Sequence, residues 1–85
     1  MHQQAITIRH SNQSDQLALA RLAALDDRPA FHHEAILGFV EGELQAAVAL
    51  PNGAVIADPF AHTAELVELL RMRAAQEPAE MRWAA

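Results

Sequence analysis

The most constraining feature of the chain is a pair of apolar runs joined by a tight turn. The runs extend from Ile36 to Val40 and from Leu44 to Leu50, and Glu41-Gly42-Glu43 lies between them. Glycine in such a turn supplies the positive φ that a two-residue hairpin needs. The pattern predicts that the two runs are neighbouring antiparallel strands, here the second and third strands of a sheet.

The segment before the hairpin predicts a strand and then a helix. Ala5 to Arg9 alternates apolar and polar side chains, as a half-buried strand does. Asn12 is placed to cap a helix over residues 13–26, and Asp15 lies where a negative charge favours the positive helix end. The pair Arg28-Pro29 follows this helix and stops it. The predicted buried face consists of Ala18, Leu22 and Leu25, flanked by Leu19.

The segment after the hairpin predicts a fourth strand and a second helix. Pro51-Asn52-Gly53 is a turn signal, Ala54 to Ala57 is an apolar strand, and Asp58-Pro59 ends it. The following helix runs from about Thr63 to Gln76, before Pro78. Its predicted buried stripe consists of Leu66, Val67, Leu70 and Ala74, with Glu68 and Arg71 able to pair on the other side.

These elements predict an α+β domain with the order β-α-β-β-β-α. Turns between the second, third and fourth strands imply an antiparallel meander, so we expect a four-stranded antiparallel sheet packed by two helices. Residues 1–78 form one domain in this interpretation, and residues 79–85 form a C-terminal tail.

Composition excludes several functional classes. The 85 residues contain no cysteine, so disulfides and thiolate metal sites are excluded. All six basic residues are arginine, as in a GC-rich bacterial genome, and the net charge is −5. Because these arginines do not cluster, nucleic-acid binding is not expected. No membrane span or secretory signal is present in the pattern, which favours a cytoplasmic protein.

Several short motifs resemble the first half of a GCN5-related N-acetyltransferase (GNAT). They are Ile8-Arg9 ending the first strand, Asp15 opening the first helix, the turn from Val40 to Leu44, and Asp58-Pro59 after the fourth strand. The resemblance covers roughly residues 5–76. It implies a truncated GNAT-like fold and, in the complete family, an acetyl-CoA cofactor.

The departures from that family bear on activity. The family's Gly-rich pyrophosphate motif falls at residues 59–66, which read PFAHTAEL and contain neither glycine nor arginine. The family's second half has no counterpart here. We therefore predict no catalytic residue and no cofactor. An alternative is acyl-CoA binding completed by a second subunit, with an anion at the helix start near Ala61 and His62; Glu65 opposes it by repulsion.

Other polar residues have structural explanations. His32-His33-Glu34 suggests a metal, but no second ligand cluster lies at a metal spacing, and nothing in the sequence brings His2 or His10 near it. Ser11 and Ser14 lie at a helix start, where capping explains them. We therefore interpret residues 32–34 as a polar surface loop, and no metal site is predicted.

The fourth strand is the main candidate interaction surface. In the complete family a fifth strand covers it, whereas here it becomes an edge with no charge or proline inside. We predict a non-catalytic homodimer, an interaction or regulatory module, because pairing would hide this edge and enlarge a thin core. The alternatives are another protein partner and a monomer whose tail shields the strand. The interface candidates are Ala54, Val55, Ile56 and Ala57, with Met81 and Trp83 of the tail.

Overall fold

Four antiparallel strands form one sheet between two helices in the computed structural model, which describes residues 5–31, 34–50 and 52–76. The predicted α+β class and element order are confirmed. The elements are β1 (Ile6–His10), α1 (Gln16–Leu25), β2 (Ala35–Val40), β3 (Glu43–Ala49), β4 (Val55–Ala57) and α2 (Ala64–Ala75). Each predicted strand and helix lies within three residues of its observed bounds. None of the helices in these ranges is long and apolar enough to cross a membrane.

The sheet is a meander with the strand order β1-β2-β3-β4. The β2–β3 hairpin is confirmed: Glu41 and Gly42 have φ of 52° and 82°, the two positive values of a turn that matches the twist of its strands. The turn into β4 also contains a left-handed glycine, Gly53, with φ of 72°. Pro51, also assigned to this turn, lies outside the described residues. The order leaves β1 and β4 at the two edges.

The two helices cover opposite faces of the sheet, because successive strand side chains point to opposite sides. On the α1 face, Leu37, Ala47 and Ile56 pack beneath Leu19 and Leu22. On the α2 face, the buried residues are Ile36, Val40, Ala46, Val48, Leu50, Leu66 and Leu70. The sheet is thus the middle of three layers.

Helix α1 differs from its prediction at both its start and its buried face. Residues 13–15 form a 3-10 turn capped by Asn12, and the α-helix begins only at Gln16. The buried arc is Leu19, Leu22 and Ala23. Leu25, predicted to be buried, is 49% exposed. At about 100° per residue, Leu25 lies on the opposite side of Leu22 from Ala23, outside this arc.

Helix α2 follows its predicted pattern. Leu66 and Leu70 are buried, while Val67 and Ala74 pack against the same cluster. The predicted pair of Glu68 and Arg71 is present at 3.7 Å on the exposed side. The amphipathic spacing therefore identified the face that meets the sheet.

Candidate functional site

The junction between β4 and α2 is a direct connection built by Asp58. Its N–H donates to the Gln45 carbonyl at 2.9 Å and completes the ladder with β3. Its carboxylate Oδ1 accepts the Phe60 N–H at 2.8 Å, and its carbonyl accepts the Ala61 N–H at 3.3 Å. Asp58 therefore turns the chain away from the sheet, as the Asp-Pro pair predicted, and leaves Phe60 83% exposed.

An open cleft of about 480 Å³ lies at this junction, where the family resemblance would place a pyrophosphate. Three carboxylates line it, from Asp26, Asp58 and Glu65, beside His62. The other lining residues are Ala57, Pro59, Ala61, Thr63 and Ala64, so no arginine among the described residues lines the cleft. Asp26 lies 3.4 Å from Nε of Arg28, whereas Asp58 and Glu65 have no arginine partner among the described residues. Together these carboxylates oppose a pyrophosphate more strongly than Glu65 alone, the carboxylate that the sequence placed at the helix start.

Of the five histidines, the structure describes only His10 and His62, and it does not bring these two together. His62 is exposed at the cleft, and His10 ends β1 at the far edge of the sheet. His2, His32 and His33 lie outside the described residues. Within the described ranges, no group of three or more His, Cys, Asp or Glu side chains is arranged to hold a metal ion.

The hydrogen bonds between β3 and β4 determine which backbone groups remain at the edge. The Ala49 N–H donates to the Ala54 carbonyl at 2.8 Å, and the Asp58 N–H donates to Gln45. In an antiparallel ladder, bonded residues alternate with residues whose N–H and C=O point the other way. The even-numbered residues of this segment therefore face β3, and the odd-numbered ones face outward.

The outward-facing residues of β4 are Val55 and Ala57, both half-buried in their side chains. A side chain already occupies one of their groups: Asp26, just after α1, accepts the Ala57 N–H through Oδ2 at 3.0 Å. The same oxygen lies 3.4 Å from Nε of Arg28. The β4 edge thus presents the N–H of Val55 and the carbonyls of Val55 and Ala57 to a second strand. The Ala57 N–H already donates to Asp26. The two residues are 31 positions apart, and no sequence signal joined them.

The opposite edge of the sheet is β1, which sequence reasoning did not consider. Its odd-numbered residues bond to β2, so the backbone of Ile6, Ile8 and His10 faces outward. This strand carries a charge, because Arg9 lies within it and its Nη1 donates to the His10 carbonyl at 3.0 Å. Charged side chains on an edge strand oppose pairing with a second chain. Of the two edges, β4 is the shorter and the more apolar.

Arg9 also forms a bidentate ion pair with Asp15. Its Nη1 and Nη2 donate to Oδ2 and Oδ1 of Asp15 at 2.9 and 2.8 Å, and its Cζ lies 4.8 Å from the centre of the Phe39 ring. The hydrogen bonds from Arg9 hold the pKa of the buried Asp15 carboxyl below its usual value, against desolvation, which raises it; the Asn12 N–H, at 2.8 Å, lowers it further. The pair ties β1 to the start of the first helical segment.

Three of the four interface candidates, Val55, Ile56 and Ala57, form β4 at the edge of the sheet, and Ala54 lies just before it. Ile56 is buried against α1, and the other three are partly or fully exposed. Met81 and Trp83, predicted to extend that interface, lie outside the described residues.

Comparison with protein-family models, with curated proteins and with solved structures gives no match.

Proposed function

We propose that this protein is a small, non-catalytic interaction module that self-associates through the β4 edge, in the cytoplasm. The observation that carries the proposal is the edge itself: Val55 presents an outward N–H and C=O on a strand free of charge and proline. A second copy related by a twofold axis supplies the complementary acceptor and donor from the same residue.

The twofold arrangement also brings more surface together. Helix α1 lies on β3 and β4, so an axis perpendicular to the sheet at β4 places the two copies of α1 on the same face. This helix has the exposed apolar side chains Leu17 and Leu25. A pair of three-residue strands alone falls below the roughly 1,000 Å² of a stable interface. The helices provide the remaining area, and we expect a dissociation constant on the order of tens of micromolar.

The edge can be tested with Val55→Pro, compared with Val55→Thr. Proline removes the outward N–H and leaves the β3–β4 hydrogen bonds intact, since those use the even-numbered residues. Threonine keeps the N–H and the β-branched shape. By sedimentation equilibrium at about 20–200 µM, we expect wild-type protein and Val55→Thr to dimerise and Val55→Pro to remain monomeric.

Ile6→Pro gives the matching test of the other edge, because the Ile6 N–H faces outward from β1 and its side chain is 48% exposed. This variant should dimerise like wild type. If Ile6→Pro is monomeric and Val55→Pro still dimerises, the interface lies at β1. A wild-type chain that is monomeric at about 200 µM would contradict self-association.

The alternative function is acyl-CoA binding by a GNAT-like domain that a second subunit completes. The cleft at the start of α2 is the feature that favours it, and the three carboxylates in that cleft oppose it. The sequence resemblance, with its missing glycines, fits a module that shares the scaffold of the family's first half and lacks its cofactor chemistry. We therefore place the interaction module first.

Titration with acetyl-CoA separates the two functions. We expect no saturable heat in isothermal titration, because the carboxylates of the cleft repel the pyrophosphate. The titration should be run both below and above the concentration at which the chain dimerises, so that a site completed by a second copy is also sampled. Saturable binding with defined stoichiometry at either concentration would overturn the non-catalytic assignment.

A further inference from the structure

We infer that Asp26 sets the register in which two copies pair along β4, and that it centres the pair on Val55. This inference rests on the self-association proposed above and specifies its geometry. It follows from one contact, the hydrogen bond from the Ala57 N–H to the Asp26 carboxylate at 3.0 Å.

Two twofold registers make use of the outward groups of β4. In the first, Val55 lies opposite Val55 of the second copy, and each N–H donates to the other's carbonyl. In the second, the axis passes by Ile56, and Val55 lies opposite Ala57 of the second copy. The second register offers twice as many hydrogen bonds, but half of them require the Ala57 N–H of each copy.

Asp26 removes that donor. Its Oδ2 takes the position that a neighbouring strand's carbonyl would occupy, and Nε of Arg28 lies 3.4 Å from the same oxygen. A second strand in the Ile56-centred register must displace this charge-assisted hydrogen bond in both copies. The Val55-centred register leaves both of them in place.

The turn before β4 also favours the Val55-centred register. In that register, Gly53 of the second copy lies opposite Ala57. At Gly53 the φ of 72° turns the chain back toward its own β3, and its N–H already donates to the Ala49 carbonyl at 2.8 Å. The second chain therefore leaves the edge where Asp26 is placed. In the other register, Val55 of the second copy would lie beside the carboxylate.

Disulfide formation can identify the register, because the chain contains no cysteine. In the Val55-centred register, Val55→Cys places two Cα atoms about 5.5 Å apart, within disulfide range. In the Ile56-centred register the same two atoms are offset by two residues and lie about 8 Å apart, too far to bridge. We expect Val55→Cys to form a covalent dimer under mild oxidation and Ala57→Cys, the matched control, to form none.

Asp26 itself is tested by Asp26→Ala against Asp26→Asn. Alanine frees the Ala57 N–H, so we expect the dimer to tighten about tenfold and to shift to the Ile56-centred register. In that background, Val55→Cys alone should crosslink poorly, whereas a mixture of Val55→Cys and Ala57→Cys chains should crosslink directly. Asparagine keeps an acceptor oxygen and should retain the wild-type pattern.

The outcomes distinguish this inference from the proposal beneath it. If the wild-type chain dimerises and, among the cysteine variants that keep Asp26, only the mixture of Val55→Cys and Ala57→Cys crosslinks, the register is overturned and self-association stands. Dimers that crosslink in none of these forms place the interface away from β4 and overturn both. If Asp26→Ala does not fold, the crosslinks in the otherwise wild-type chain still decide the register.

Discussion

Replacing Asp15 with alanine is expected to lower the free energy of unfolding by about 2–4 kcal/mol at pH 7. The Asp15 side chain is 8% exposed and accepts two hydrogen bonds from Arg9 and one from the Asn12 N–H. Its removal leaves a guanidinium and a backbone donor without their acceptor. Because the Arg9 side chain is 41% exposed, water replaces part of the lost interaction, so the effect falls short of a fully buried pair.

Asp15→Asn tests how much of this stabilisation comes from the ionised carboxylate, because the effect of the substitution on stability should depend on pH. The folded state holds the pKa of Asp15 below its usual value, mainly through the hydrogen bonds from Arg9. The unfolded chain therefore binds a proton at higher pH than the folded chain does. The stabilisation is fully present above the usual aspartate pKa of about 4 and is lost as pH falls through the lower, folded-state value.

Urea unfolding of wild type and Asp15→Asn at a series of pH values tests this sign. We expect a constant difference in unfolding free energy between pH 5 and 7, which narrows below about pH 4. All samples should be at one protein concentration, because dimerisation adds to apparent stability. Asp58→Asn serves as the control, since no arginine pairs with that carboxylate among the described residues. A difference that stays constant down to pH 2 would show that the ionised form of Asp15 is not what stabilises the fold.

The sequence predicted best those features that depend on interactions between residues close together in the chain. Local signals were sufficient for the hairpin at Gly42 and for the buried stripe of α2, because turn geometry and helical period act over a few residues. The prediction for α1 was less accurate at Leu25. An alanine-rich helix has apolar residues on several faces, so its period does not select one of them.

The contacts of the candidate site were not predictable in the same way. Asp15 was identified only as a charge favourable to a helix start, and Arg9 only as the end of a strand; their pairing depends on the packing of β1 beside the 3-10 turn. Asp26 meets Ala57 because α1 ends above β4, a distance of 31 positions along the chain. Such contacts arise from the assembled layers and have no signature in spacing.

The most decisive packing prediction concerns Gly38, at the centre of β2. A Cβ atom built at this position would lie 2.8, 3.0 and 3.1 Å from Cδ1, Cγ and Cδ2 of Leu66. Leu66 is buried in the α2 face, so its side chain has little room to move. We expect Gly38→Ala to lower the free energy of unfolding by about 1–3 kcal/mol, as overpacking does, even though alanine suits a strand better than glycine.

The sign of this effect should reverse when Leu66 is shortened. Leu66→Ala alone is expected to cost about 2–5 kcal/mol through the lost burial and the cavity. It also removes all three atoms that meet the new Cβ, so adding Gly38→Ala in this background should be neutral or stabilising. The double-mutant cycle, measured by urea unfolding at fixed protein concentration, should therefore give a favourable coupling of at least about 1 kcal/mol.

Gly42→Ala is the control for this cycle, because its expected cost to stability has a different physical cause. A Cβ at Gly42 meets no atom within 4 Å, and its cost comes from the left-handed φ of 82°. That strain is independent of Leu66, so Gly42→Ala and Leu66→Ala should be additive to within about 0.5 kcal/mol. Additivity for Gly38 as well would mean that the close approach of α2 to the sheet does not depend on this glycine. A coupling confined to Gly38 would establish that its missing side chain is what allows Leu66 to pack directly on β2.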